Sequence, residues 1–203
     1  MIENFQKRVF WCVAFIFVGG GLYLLMNKYG SLSDAYYVQF EFEKYIPFIP
    51  WTIIIYFLIF PYLSLPVFLV KRYKDFFKVV LGLWGITFAS AFIFWQYPTT
   101  MLRPEIIEGG IVGILFNVIR FIDGPYNLFP SLHVSSISFV AFVNHYFRPK
   151  TDIWSIPLAI LICCSTLTVK QHAILDVLGG FALGFIVYFV VFKLFFRRKK
   201  TRA

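Results

Sequence analysis

Two histidines sit in settings where an imidazole could do chemistry. The first, His133, follows Phe129-Pro130-Ser131-Leu132 at the start of an otherwise apolar run. Pro130 fixes its own φ and disfavours helix before it, Ser131 is a good N-cap, and His133 then falls in the first helical turn. The free N–H groups and positive end of such a helix favour an anion, so a phosphate would suit this neighbourhood. Plain helix capping accounts for the same residue types without a ligand. The second histidine lies in Ser165-Thr166-Leu167-Thr168-Val169-Lys170-Gln171-His172-Ala173-Ile174-Leu175-Asp176. On a helix, His172 and Asp176 share one face, and the carboxylate would orient the ring and raise its basicity, as a nucleophile or base requires. The histidines are 39 residues apart. At about 1.5 Å per residue that allows one helix down, a short turn and one helix back.

Arg103-Pro104 ends another apolar run. Charge is costly near a bilayer, so Arg103 and Lys170 need partners, and the nearby sequence offers no excess of acids. An anionic substrate would fill that gap. Two histidines, a carboxylate, two cations and a capped helix mouth suit phosphoryl transfer better than metal ligation, because a bound metal would repel adjacent cations. A His/His/Asp zinc site is the alternative set from the same residues.

The elements that must carry these groups are membrane spans. The 203 residues are 60% hydrophobic and 22% aromatic, more apolar surface than one soluble core could bury. Candidate spans run from Val9 to Met26, Trp51 to Val70, Val79 to Trp95, Val134 to Phe147, Ile153 to Val169 and Ala173 to Phe196. The first is long for a signal-peptide core and lacks a small-x-small cleavage site, so an uncleaved span is expected. The fourth is short and carries Ser135, Ser136, Ser138, Asn144 and His145, which suggests burial within a bundle. Cys12, Cys163 and Cys164 lie in apolar segments without zinc-site spacing and read as packing residues. The expected protein is an all-α, six-span bundle forming one integral-membrane domain over residues 1–203.

Charge sets its expected orientation. Fourteen of the nineteen Lys and Arg fall at the N-terminus, in the 71–78 and 148–150 loops and in the C-terminal tail. The positive-inside rule then puts both termini in the cytoplasm and both histidines at the outer face. The net charge of +9 does not point to nucleic acid, because no basic soluble domain or aromatic stacking platform is present. The tail Arg197-Arg198-Lys199-Lys200 reads as an orientation signal that could also attract anionic lipid. Between spans three and four, Ile107, Ile111, Leu115, Val118, Ile119 and Ile122 recur at helical spacing opposite Glu105, Glu108, Asn117 and Arg120. That pattern predicts either an interfacial helix flanking a lipid entrance or a connector packed on the bundle. Pro47-Phe48-Ile49-Pro50-Trp51 predicts a rigid, aromatic-belt entry to span two.

Arg103-Pro104, Pro130-Ser131-x-His133 and Ser165 with His172 and Asp176 together resemble the three-part signature of the phosphatidic acid phosphatase type 2 superfamily, over roughly residues 96–184. The resemblance implies His172 as nucleophile forming a phosphohistidine, His133 as general acid, Asp176 as the group steadying the nucleophile, and Arg103 and Ser131 as phosphate ligands. It implies no metal or other cofactor, and a membrane lipid phosphate as substrate. Two of the family's cations are replaced here by Gln96 and Thr166; both can donate hydrogen bonds, and Lys170 could restore one charge. The Pro47-x-x-Pro50-Trp51 and Thr168-x-Lys170-Gln171-His172-x-x-x-Asp176 runs are similar to the inositol phosphorylceramide synthase-like branch, which transfers phospho-headgroups between lipids. The expected activity is therefore hydrolysis of a lipid phosphomonoester or diphosphate, with lipid phosphotransfer as the alternative. A small lipid or ion transporter is the non-enzyme alternative, although no inverted repeat or paired broken helices are evident. Neither the lipid nor the oligomeric state is legible in these residues.

Overall fold

A computed structural model describes residues 2–31, 34–105 and 109–195 of the chain. Among them are seven long helical segments, α1 (Phe5–Ser31), α2 (Pro50–Leu69), α3 (Tyr73–Gln96), α4 (Gly110–Ile122), α5 (Leu132–Phe147), α6 (Pro149–Thr168) and α7 (Ile174–Leu194), and a short 3-10 helix at Glu41–Tyr45. Five of these, α1, α2, α3, α6 and α7, are long and apolar enough to cross a membrane. The protein is a multi-pass membrane protein. The helices begin where the sequence supplies starts: Pro50 and Pro149 occupy first-turn positions, where their missing N–H has no bond to make. A two-residue parallel pair, β1 (Tyr36–Tyr37) and β2 (Thr99–Thr100), interrupts the all-helical plan and ties the chain after α1 to the chain after α3.

The predicted fourth span is the central strut. α5 has 16 residues, or about 24 Å, less than the roughly 30 Å of a hydrocarbon core. It lies inside protein, packing on α2, α3, α6 and α7 with Ile137, Phe139, Val140 and Val143 fully buried. That enclosure is why its Ser135, Ser136, Ser138 and Asn144 are buried without facing lipid.

The closest packing is between α5 and α7. Helices in lipid gain little from excluding water, so contact depends on close approach. Gly180 and Gly184 permit it: a Cβ on Gly180 would lie 2.7 Å from the Ser131 carbonyl oxygen, and one on Gly184 2.5 Å from that of Ser135. The backbone of α7 is thereby pressed against the turn of α5 that bears His133. At the opposite end, buried Arg8 of α1 donates to the carbonyls of Val67, Val70 and Lys71 at 2.5, 2.7 and 2.8 Å. It satisfies carbonyls at the end of α2, each bond contributing about 1.5–3 kcal/mol.

The α4 expectation is met in part. Phe116 and Ile119 bury against Ile53, Tyr56 and Val169, while Ile111, Val118 and Ile122, predicted to share the apolar face, point outward with Ile114 and Phe121. Thus α4 has two apolar sides, one on the bundle and one exposed. The predicted Ile107 and Glu108 of this helix, and the basic tail Arg197-Arg198-Lys199-Lys200, lie outside the described residues.

Candidate active site

The beginnings of α2, α5 and α7 and the ends of α1, α3 and α6 meet at one end of the bundle, and the predicted histidines meet there. His133 Nδ1 lies 3.4 Å from His172 Nε2. His145, the third histidine, is twelve residues further along α5 and pairs with Asp152 at 2.6 Å.

His133 stands in the first turn of α5, as expected. Ser131 is the N-cap, its Oγ accepting from the Val134 N–H at 3.2 Å, while its own N–H donates to the Asp176 carbonyl at 3.0 Å. Ser131 is thus a cap and a tie between α5 and α7, and the capping bond does not use its hydroxyl proton.

His172 is held differently from the predicted helical i, i+4 pair. It precedes α7, in the turn that ends α6. There Lys170 adopts a left-handed φ of 54°, the Gln171 N–H donates to the Thr166 carbonyl at 3.0 Å and the Lys170 N–H to that of Leu167 at 3.2 Å. This is a Schellman cap with lysine where glycine is usual. The Thr166 carbonyl also accepts from the His172 N–H at 3.2 Å. Asp176 reaches back from the first turn of α7, its Oδ2 accepting from the Ala173 N–H at 2.7 Å and lying 3.6 Å from His172 Nδ1. The separation exceeds a hydrogen bond, and catalytic contacts often tighten only when substrate is bound.

Arg103 is drawn to the same end, but it has the acidic partner its surroundings in sequence did not offer. One Nη donates to the Asp123 carbonyl at 2.6 Å; the other reaches the Gln171 carbonyl at 3.4 Å and lies 3.7 Å from Asp123 Oδ2. Arg103 Nε is buried and has no partner among the described residues. Asp123 in turn accepts from the Tyr23 hydroxyl of α1. Arg103 therefore sits one residue from His172 with a donor in reserve and part of its charge offset.

The other three candidates stay outside the histidine group. Gln96 is exposed at the end of α3. Thr166 turns its hydroxyl to the Cys163 carbonyl of its own helix at 2.7 Å, contributing through its backbone instead. Lys170 Nζ donates to the carbonyls of Glu43 and Ile46 at 3.2 and 2.7 Å. Burial holds its ammonium below the ordinary lysine range, against the opposing pull of Glu43. Lys170→Gln is accordingly expected to leave turnover within a few-fold of wild type and to lower the thermal midpoint. A fall of about ten- to a hundredfold in kcat/KM with unchanged stability would instead place the ammonium on substrate.

Several contributors escaped the sequence reading. The Gly180-x-x-x-Gly184 spacing was a visible signal for a close helix contact. Glu43, whose Oε2 accepts from the Ile174 N–H at 3.0 Å and so helps satisfy the mouth of α7, had no local signal. The same holds for Tyr56, whose hydroxyl lies 2.7 Å from His133 Nε2. Among the described residues, no three His, Cys, Asp or Glu side chains are grouped as metal ligands would be.

Residues 48–200 match the PAP2 superfamily, a stretch that contains His133, His172, Asp176 and Arg103. The chain belongs to the PAP2 superfamily. The match spans α2 to the end of α7 and leaves out α1, so Tyr23 reaches Asp123 from outside the matched region. A crystal structure of the first transmembrane PAP2 type phosphatidylglycerolphosphate phosphatase from Bacillus subtilis aligns with 99% of this chain and 98% of its own, at 16% identity and a TM-score of 0.47. No curated protein matches the chain.

Proposed function

We propose that this PAP2 protein is a metal-independent lipid phosphatase that hydrolyses a lipid phosphomonoester or diphosphate through a phosphohistidine. The observation carrying this reading is the juxtaposition of His133 and His172 beside Asp176 and Arg103 at one end of a membrane bundle. His172 Nε2 attacks phosphorus as the bond to the leaving oxygen breaks, and His133 gives that oxygen a proton. Water then attacks the phosphohistidine, His133 takes its proton, and the P–N bond breaks to release inorganic phosphate. Asp176 holds the nucleophile's far edge, and Arg103 with the Ser131 hydroxyl binds phosphate oxygens.

A second reading, transfer of a phospho-headgroup from one lipid to another, has its own observation. Lys170 is turned to backbone carbonyls and Gln96 is exposed, so Arg103 carries the cationic charge beside the histidines, partly offset by Asp123. A singly charged phosphodiester suits that balance better than a doubly charged monoester. A panel of lipid phosphates assayed with and without an alcohol acceptor separates the two: inorganic phosphate marks hydrolysis, a new phospholipid marks transfer. Excess EDTA is expected to leave the activity intact, and vanadate, which mimics pentacoordinate phosphorus, to inhibit it. Loss to EDTA with rescue by zinc would replace this scheme with a metal-dependent one.

The excess of Lys and Arg at the other end of the bundle supports an outward-facing site with both termini cytoplasmic. In a chain whose native cysteines are replaced by alanine, Ile111→Cys on the exposed side of α4 is expected to react with an impermeant thiol reagent added to intact cells. Labelling only after lysis would invert the topology.

A further inference from the structure

Tyr56 is a buried tyrosine in the first turns of α2, 1% exposed, and its ring leans on the His133 ring with centroids 5.1 Å apart. It is held there from two sides. The Ile49 N–H donates to the Thr168 carbonyl at 2.9 Å and the Thr52 and Thr168 hydroxyls meet at 2.8 Å, fixing the start of α2 to the end of α6. Ile53, Phe116, Ile119 and Val169 pack around the ring. A buried tyrosine hydroxyl requires a polar partner, and this one has His133 Nε2 at 2.7 Å.

Resting on the phosphatase reading above, we infer that Tyr56 is a positioning residue for the general acid: its hydroxyl engages His133 Nε2 and leaves Nδ1 as the edge that exchanges protons with substrate. The polarity of the row of side chains leads to this. Asp176 only accepts, so the proton on His172 belongs on Nδ1, facing the carboxylate, which leaves Nε2 as a lone pair. His133 Nδ1 faces that lone pair at 3.4 Å and so carries a proton in the resting ring. His133 Nε2 then accepts, and Tyr56 donates to it. When His133 is an imidazolium ready to protonate the leaving oxygen, Nε2 also carries a proton, and the same hydroxyl turns to accept it. After Nδ1 has given up its proton, that acceptor contact persists, and Nδ1 is free to take one from the attacking water. A hydroxyl serves every one of these states because it both donates and accepts; a carboxylate at this position would favour the doubly protonated ring throughout and hinder proton release.

The test compares wild type with Tyr56→Phe, which keeps the ring and removes only the hydroxyl. Toward an alkyl lipid phosphate, kcat is expected to fall about ten- to a hundredfold with KM little changed. Toward an aryl phosphate bearing the same acyl tail, whose anion leaves without a proton, the rate of phosphoenzyme formation should stay within a few-fold of wild type, which also reports that the variant is folded. In a His133→Ala background the Tyr56→Phe effect should vanish. Equal losses in the rate of phosphoenzyme formation on both substrates, or the same loss in the His133→Ala background, would overturn the inference. Nitrogen-15 spectra of the side chains, in a protein with three histidines, give a readout independent of activity. Neutral His133 should be the Nδ1–H tautomer in wild type, and its Nε2 resonance should shift in Tyr56→Phe as the hydrogen bond from the hydroxyl is lost; an Nε2–H tautomer in wild type, or an Nε2 resonance that the substitution does not move, overturns the inference. A wild-type chain that turns over no phosphate ester would overturn the phosphatase reading, while the spectra would still decide the role of Tyr56.

Discussion

His172→Ala is expected to abolish both phosphoenzyme formation and turnover, by a factor of at least about a thousand, or roughly 4 kcal/mol of transition-state stabilisation. The expectation follows from how the ring is presented. The Schellman turn at Lys170 and the Thr166 carbonyl fix its backbone, Asp176 lies on its Nδ1 side, and Nε2 is left facing His133. Brief exposure to labelled lipid phosphate, followed by an alkaline quench that preserves phosphohistidine, should trap label on wild type and none on His172→Ala. Label retained on the variant would move the nucleophile elsewhere. The fold should survive the change, because what holds this turn is backbone hydrogen bonding, which alanine retains.

His133→Ala is expected to slow release of an alkyl leaving group by about a hundred- to ten-thousandfold, the range of a lost general acid. The loss should shrink markedly with an aryl leaving group, because the developing phenolate needs no proton. Phosphohistidine should still form from the aryl substrate but decay slowly, since in the proposed scheme His133 is also the base for the attacking water. That combination of slowed decay and leaving-group dependence distinguishes an acid–base role from a packing role. Equal losses in the rate of phosphoenzyme formation on both substrates would remove the assignment, as would normal phosphoenzyme decay.

These two assignments began as local patterns. Pro130-Ser131 announced a capped helix, and the cap is present with His133 in the first turn. The six-span reading rested on long apolar runs, which backbone hydrogen bonding in lipid forces into helices; five of the helices satisfy the length a crossing needs, and the short α5 was distinguished by its serines and asparagine. The i, i+4 spacing of His172 and Asp176 does bring the two side chains near each other, but the pair straddles the N-terminus of α7 instead of lying on it. The exposed surface of α4 is apolar too, so periodicity alone does not tell the side on the bundle from the side on the surroundings.

Charge was the least legible part. Taken in sequence, Arg103 and Lys170 stand as cations in want of an anion, because sequence shows only neighbours along the chain. Folding brings Asp123 from 20 residues away and carbonyls from more than 120 residues away. Composition, helix-start chemistry and spacing determined that this is a helical membrane protein with two histidines returned to one face. Close approach of α5 to α7 across Gly180 and Gly184 determined that those histidines touch, and the seating of α2 against α6 determined that Tyr56 stands behind one of them. Hydrogen bonds and ion pairs act over a few ångströms of space, and only the packed backbone sets which residues lie within that range.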